Sequence, residues 1–264
     1  MKTPFSVTVA LLFATFVGCT TVPETGRQQI MLVSPETETQ LGLASFADVK
    51  KQERISGNPQ YNAQVTRVGR RIAASVGREL PNAQWEYVVF ESDQVNAFAL
   101  PGGKVGVYTG LLKLVGSDDE LACVMGHEIA HVTSRHGGER MSQQMAAAGI
   151  GMLGEAAMEA GAVSEQHRTL ARLAYGAGST GGLLAFSRQQ ESEADAVGLR
   201  FAAGAGYDPR AAVTFWQKMA RQNSGKEPWK YLSTHPPTEE RIANLQRLSQ
   251  EYLPLYEQAK RRYQ

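Results

Sequence analysis

His127-Glu128-Ile129-Ala130-His131 sets two imidazoles four residues apart around a glutamate. On an α-helix, positions i and i+4 lie one turn apart on the same face. Both rings can then grip one metal ion, with Glu128 beside them as a general base toward water. The chain has only five histidines, so this spacing weighs against a surface helix that merely happens to hold two. The flanks predict that helix. Ser117-Asp118-Asp119-Glu120 has the S-x-x-E form of a capping box, with Ser117 capping free amides and Glu120 reaching back to the cap. Asp118 and Asp119 add negative charge where the helix dipole favours it. The apolar run Leu121 to Gly126 makes it a mostly buried helix. Gly126 costs up to about 1 kcal/mol of helix propensity, which predicts a close approach of another backbone or of substrate, or tight packing.

A catalytic zinc takes three protein ligands and keeps one position open. His136 lies five residues past His131, rotated off the ligand face. The longer pattern H-E-x-x-H-x-x-G-x-x-H fails, because Ser134 and Gly137 stand at its last two fixed positions. The candidate third ligand is in Arg188 to Gly198, a second predicted helix. There Glu191 and Asp195 share a face and Glu193 points roughly the opposite way. Glu191 would ligate zinc directly, and Asp195 would fix the tautomer of a ligand histidine. The alternative is a solvated acidic helix face.

H-E-I-A-H followed by E-S-E-A-D resembles the HtpX-type and CAAX-protease-type zinc metallopeptidases, and more narrowly their periplasmic lipoprotein branch. The family pattern, H-E-x-x-H and then E-x-x-x-D, falls on His127, Glu128, His131, Glu191 and Asp195. Asn96 to Gly103, and Thr234-His235-Pro236-Pro237 with Arg241, extend the resemblance over roughly residues 60 to 245. It implies cleavage of misfolded or misassembled envelope proteins. The chain lacks the several long transmembrane spans of the HtpX and CAAX enzymes, which sets aside prenyl-protein processing within a membrane.

Lys2 and the apolar stretch Phe5 to Val17 fit a signal peptide, being shorter than the roughly 20 residues of a spanning helix. Phe16-Val17-Gly18-Cys19 resembles a lipobox, with Phe16 where leucine is usual, and makes Cys19 the candidate lipidation site. Thr20 after the cysteine points, by resemblance, to the outer membrane. An ordinary signal peptide cut nearby, with Cys19 incidental, is the other reading. Formal charge is +1 and there is no basic stripe with interleaved aromatics, so nucleic acid is not implied. Of the two cysteines, Cys123 sits in apolar surroundings and reads as core filler rather than a soft ligand.

Elsewhere, Pro35 to Lys51 and Tyr61 to Leu80 read as helices, and Trp85 to Phe90 as a strand. Phe98 to Leu100 and Val105 to Tyr108 read as a hairpin about Pro101-Gly102-Gly103. Beside the metal its edge would accept a substrate backbone as an added strand; a plain structural hairpin is the alternative. The Met-, Ala- and Gly-rich segment 137–187 reads as packed helices with a loop, or as a lid. His235 is an oxyanion donor, a regulatory metal ligand or a structural anchor of the Pro-Pro turn. Arg241 pairs with a carboxylate or caps the last helix. Phe215, Trp216 and Met219 are assigned to packing.

The sequence thus predicts an α+β, mostly helical, zincin-like metallopeptidase core, with a small edge hairpin beside two metal-bearing helices. One zinc ion (Zn2+) is held by His127, His131 and Glu191; Glu128 is catalytic, with His235 as its candidate partner. Residues 1–18 are the signal peptide, 19–33 a tether, 34–250 the metallopeptidase domain and 251–264 a polar tail. Implied partners are unfolded or misassembled proteins, the membrane through the lipid anchor, and outer-membrane assembly machinery. Two readings from other classes stand beside it: a chaperone-like assembly factor with a mostly closed zinc site, and a lipid-anchored binding protein.

Overall fold

The structure is a computed structural model that describes residues 18–22, 25–147, 165–174, 186–222 and 230–263. Residues 148–164 and 175–185, on which the lid reading rests, lie outside the described residues. Local signals set the first helices. Helix α1 (Pro35–Gln52) starts where the Ser34 hydroxyl accepts from the Thr37 amide, and α2 (Pro59–Val76) where the Asn58 side chain accepts from the Gln60 and Tyr61 amides. Helix α2 gives way to a 3-10 turn over Gly77–Glu79, earlier than its periodicity predicts.

Three strands form the main sheet: β3 (Glu86–Phe90), β4 (Ala97–Leu100) and β5 (Lys104–Tyr108), in the order β3-β5-β4. Strands β4 and β5 are the predicted hairpin, antiparallel with Phe98 opposite Gly106, and β3 runs parallel to β5. The turn needs glycine: Gly102 and Gly103 sit at φ 85° and 80°. Phe46 of α1 meets Phe90 and Phe98 of the strands, ring centroids 6.4 and 6.2 Å away, and both of those rings meet Tyr108 at 5.5 and 6.3 Å, a buried aromatic cluster in the core.

A short helix α3 (Thr109–Leu114) leads to α4 (Asp118–Thr133), whose residues from Glu120 to Thr133 are all buried. Ser117 caps it as predicted, accepting from the Glu120 amide at 3.2 Å. The Glu120 carboxylate does not reach back to Ser117. It accepts from the Gly116 amide at 2.7 Å and from Lys218 Nζ at 2.6 Å, because a cationic partner from a later helix outbids the local bond. A reciprocal capping box is found instead at Ser187 and Gln190, opening α7 (Arg188–Gly204). Between them lie α5 (His136–Ala147) and α6 (Glu165–Ala174); α8 (Ala211–Gln222), α9 (Lys230–Thr234), α10 (Glu239–Glu251) and α11 (Leu253–Lys260) follow.

Helices α4 and α7 cross at a pair of glycines. A Cβ on Gly126 would lie 2.6 Å from the Gly198 carbonyl oxygen, and one on Gly198 would lie 2.7 Å from the His127 backbone. The close approach predicted from Gly126 is thus helix backbone. It brings the first turns of α7 against the last turns of α4.

Both expected tails are folded. Part of the 19–33 tether pairs as an antiparallel hairpin, β1 (Gly18–Thr21) with β2 (Gln28–Met31), in which Cys19 stands opposite Ile30 in the backbone ladder. Val22, Gln29, Met31 and Val33 are buried, and the Leu32 amide donates to the Ser142 hydroxyl of α5 at 2.8 Å. Its polar composition hid this, because the polar groups find partners on the domain. The 251–264 tail likewise contains α11, which packs on α7 and buries Tyr256 and Ala259. No described helix is long and apolar enough to cross a membrane.

Candidate metal centre

The i, i+4 spacing on α4 aims both imidazoles at one point: His127 Nε2 and His131 Nε2 lie 3.0 Å apart. From α7, Glu191 brings Oε1 to 3.4 Å from His131 Nε2 and Oε2 to 3.6 Å from His127 Nε2. His235, directly after α9, puts Nδ1 3.2 Å from His127 Nε2 and 2.8 Å from Glu191 Oε1. One ligand atom from each of these four residues lies within 4.8 Å of the others, and all four residues are buried. Three ring nitrogens and a carboxylate oxygen converging away from water lack protons enough to satisfy one another. They are the donors a zinc-like divalent ion takes, so the set fits a metal. The structure thus brings together the three predicted ligands and adds His235 to them.

Glu128 lies beside the set. Its Oε1 accepts from the Tyr231 hydroxyl at 2.7 Å and is 3.7 Å from His235 Nε2. Burial and the Glu128 carboxylate raise the Tyr231 phenol well above its ordinary range, so it stays a donor. Tyr231 was missed from sequence, because no helical or strand period links it to Glu128. Phe186 stacks on His131 with centroids 3.8 Å apart and shields the rings. Beside Phe186 and Glu191, a cavity of about 310 Å3 is lined also by Arg188, Pro236, Glu240 and Asn244. Cys123 is buried and outside the donor set, its Sγ near the Asp208 carbonyl.

Each of the two α4 histidines is held at its other nitrogen. His127 Nδ1 is 2.9 Å from Asp195 Oδ1, the contact predicted from the E-x-x-x-D spacing. Arg241 locks that carboxylate, donating from Nε and NH2 at 2.7 Å each, while its NH1 lies 2.6 Å from Glu191 Oε2. Of the two alternatives for Arg241, the structure places it on carboxylates, with its guanidinium 3.8 Å over the Trp216 ring. Trp216 therefore does more than fill the core. Burial would suppress charge on His127, but Glu191 and the bond to Asp195 outweigh it and raise its pKa. Burial also opposes the Glu191 anion, and His235, Arg241 and His127 overcome it, holding the carboxyl well below its usual range.

His131 Nδ1 lies 2.8 Å from His136 Nδ1. A straight helix would turn His136 away. Arg135 breaks it with φ 57°, a left-handed conformation uncommon outside glycine, and aims α5 back at α4. Arg135 is held there by Glu38 Oε1 at 2.7 Å and the Val33 carbonyl at 2.7 Å. Glu193, read as facing away, accepts from His136 Nε2 at 2.8 Å. Burial works against its charge, but His136, Thr25 and Arg27 bring its pKa down to about 2.

The sequence profile of Peptidase family M48 matches residues 59–249. Mitochondrial metalloendopeptidase OMA1 of Schizosaccharomyces pombe is 33% identical over 237 residues, covering 88% of this chain and 66% of its own length. Beta-barrel assembly-enhancing protease of Escherichia coli K12 is 27% identical over 241 residues, covering 90% of this chain and 49% of its own length. Mitochondrial metalloendopeptidase OMA1 of Arabidopsis thaliana is 37% identical over 162 residues, covering 61% of this chain and 31% of its own length. The chain thus spans from 31% to 66% of the length of these curated relatives.

Proposed function

The chain belongs to peptidase family M48, and on that premise we propose that it is a zinc-dependent endopeptidase of the bacterial envelope that cleaves misfolded or misassembled proteins. The supporting observation is the buried donor set of His127, His131, Glu191 and His235 with the Glu128 carboxylate alongside. His127, His131 and Glu191 would hold the metal, which, when bound, supplies Lewis acidity to the attacking water and the peptide carbonyl.

The remaining steps belong to the chain's own groups. Glu128 takes a proton from water and passes it to the leaving amine. Tyr231 fixes the carboxylate from one side at 2.7 Å. Asp195 and Arg241 keep the His127 ring in the tautomer whose Nε2 faces inward. The cavity beside Phe186 takes a substrate side chain.

The finer placement, in the periplasmic lipoprotein branch, rests on the lipobox around Cys19 and on relatives such as the E. coli beta-barrel assembly-enhancing protease. In it the mature chain is anchored through Cys19, at the outer membrane by the Thr20 signal, with outer-membrane assembly machinery as a partner.

One observation favours a closed form of the site. His235 occupies the ligand set, while Tyr231, from the adjoining α9, holds Glu128 and gives its amide to the Val95 carbonyl, next to edge strand β4. Shifting α9 would free the ligand set, the base and the strand edge together.

The test compares wild type, Glu128→Gln and His235→Ala for bound zinc and for cleavage of casein. We expect about one zinc per chain in all three and no cleavage by Glu128→Gln, a loss of at least about 100-fold. Cleavage by His235→Ala but not wild type supports the closed form. Undiminished cleavage by Glu128→Gln removes the proposal.

A further inference from the structure

His127 is backed by Asp195 and Arg241, which are next to it in the buried site; His131 is backed by a longer chain that leaves the site altogether. His131 Nδ1 meets His136 Nδ1 at 2.8 Å, and His136 Nε2 meets Glu193 Oε2 at 2.8 Å. Glu193 in turn accepts from Arg27 Nε at 2.9 Å and from the Thr25 hydroxyl, both in the turn of the N-terminal hairpin. Arg27 is itself gripped by Glu139, with NH1 and NH2 donating to its two oxygens at 2.9 Å each. The Glu139 carboxylate also accepts from Gln190 at 2.8 Å.

Donor and acceptor roles along this chain are forced from its outer end. The Glu193 carboxylate only accepts, so His136 Nε2 must donate to it. A neutral His136 then has Nδ1 free as an acceptor, so His131 Nδ1 must carry the hydrogen. That leaves the His131 Nε2 lone pair facing the donor set, the form in which an imidazole ligates a metal. His136 is 0% exposed and Glu193 6% exposed, so water cannot substitute for either partner.

The geometry points to His136 and Glu193 as positioning residues that fix the metal-binding tautomer and orientation of His131, with Arg27 of the N-terminal hairpin holding Glu193 in place. Neither touches substrate; they act through His131. This rests on the reading of His127, His131 and Glu191 as metal ligands.

The measurement is zinc affinity, by competition with a chromophoric chelator, on the full chain purified in detergent and stripped of metal. Thermal unfolding of the same metal-free samples is recorded alongside. We expect Glu193→Ala and His136→Leu each to weaken zinc binding about 10- to 100-fold. His136→Asn, whose carboxamide oxygen can accept from His131 Nδ1, should recover most of that loss. Glu139→Gln loosens the same arginine one step further out, leaves the histidine chain itself intact, and should cost clearly less zinc affinity than either Glu193→Ala or His136→Leu. Equal zinc loss in Glu139→Gln and Glu193→Ala, tracking a fall in metal-free melting temperature, would reduce the chain to hairpin docking and overturn the inference. So would wild-type affinity in Glu193→Ala. Wild type that binds no zinc would instead fell the metal-site reading on which the inference stands.

Discussion

His127 and His131, the proposed metal ligands of α4, sit one turn apart on the same face, yet the protein supports them in opposite ways. His127 is backed by a compact, fully buried pair: Asp195 and Arg241, side chains 2% and 6% exposed. His131 is backed through His136 and Glu193 to Arg27, which is 12% exposed at the edge of the domain. One support is buried and built from α7 and α10; the other ends in a hairpin from the start of the described chain. Equivalent first contacts therefore do not carry equivalent energetics. Removing a partner from the inner pair strands a charge deep in the site, whereas in the outer support Arg27 approaches solvent and keeps Glu139 as a second carboxylate.

Asp195→Ala should have the largest effect. It removes one of the two carboxylates against the Arg241 guanidinium, within a site where both Arg241 and Asp195 are buried. Breaking a buried pair in this manner costs about 3–5 kcal/mol, to be read from denaturant unfolding of metal-free protein. A cost no greater than that of Glu193→Ala would erase the distinction between the two supports.

A second variant strikes both at once. Gly198→Ala places a Cβ 2.7 Å from the His127 backbone, so α4 and α7 must part. Overpacking of this kind costs about 1–3 kcal/mol, and because the shift moves Glu191 and Asp195 together it should lower zinc affinity as well as melting temperature. Zinc affinity that survives unchanged would show that the ligand set tolerates helix separation.

The smallest effect isolates the outer support. Glu193 titrates at about 2 in the folded chain against an ordinary value of 4.5. A carboxyl with a depressed folded pKa contributes stability fully above its unfolded pKa and loses it as pH falls through the folded one. Denaturant stability should therefore be flat in this contribution above pH 4.5 and decline toward pH 2, and Glu193→Gln should remove that component while leaving the part owed to Asp195 and Glu191. An unchanged acid profile in Glu193→Gln would mean that the hairpin contact carries no weight in the folded state.

Much of the site was legible in the sequence because its signals are local. The capping serine at 117, the apolar run before His127 and the i, i+4 spacings of His127 with His131 and of Glu191 with Asp195 each depend on one helix alone. The glycine turn between β4 and β5 was readable for the same reason. Helical geometry kept His136 and Glu193 out of the donor set, as the structure does, but could not say what either one meets. His136 was placed off the ligand face; the left-handed Arg135 ends α4 and swings His136 back beneath His131. Glu193 does leave the face that carries Glu191, but α5 and the N-terminal hairpin come round to meet it. The 19–33 and 251–264 segments failed for a related reason. Polar composition says that a segment can be solvated, not that it lacks partners, and Arg27 finds two carboxylates while α11 finds α7.

By itself, then, the sequence determined which residues share a face within each helix, and so the presence of a histidine pair, a base and a carboxylate pair suited to one metal. Periodicity and capping act over a few residues and need no knowledge of the rest of the chain. The tertiary structure alone decided how those faces meet: the Gly126–Gly198 crossing that docks α7 on α4, the arrival of His235 and Tyr231 from α9, and the unequal backing of the two histidines. These depend on burial and on contacts between residues more than a hundred positions apart, as between Arg27 and Glu193, where no local pattern constrains the pairing.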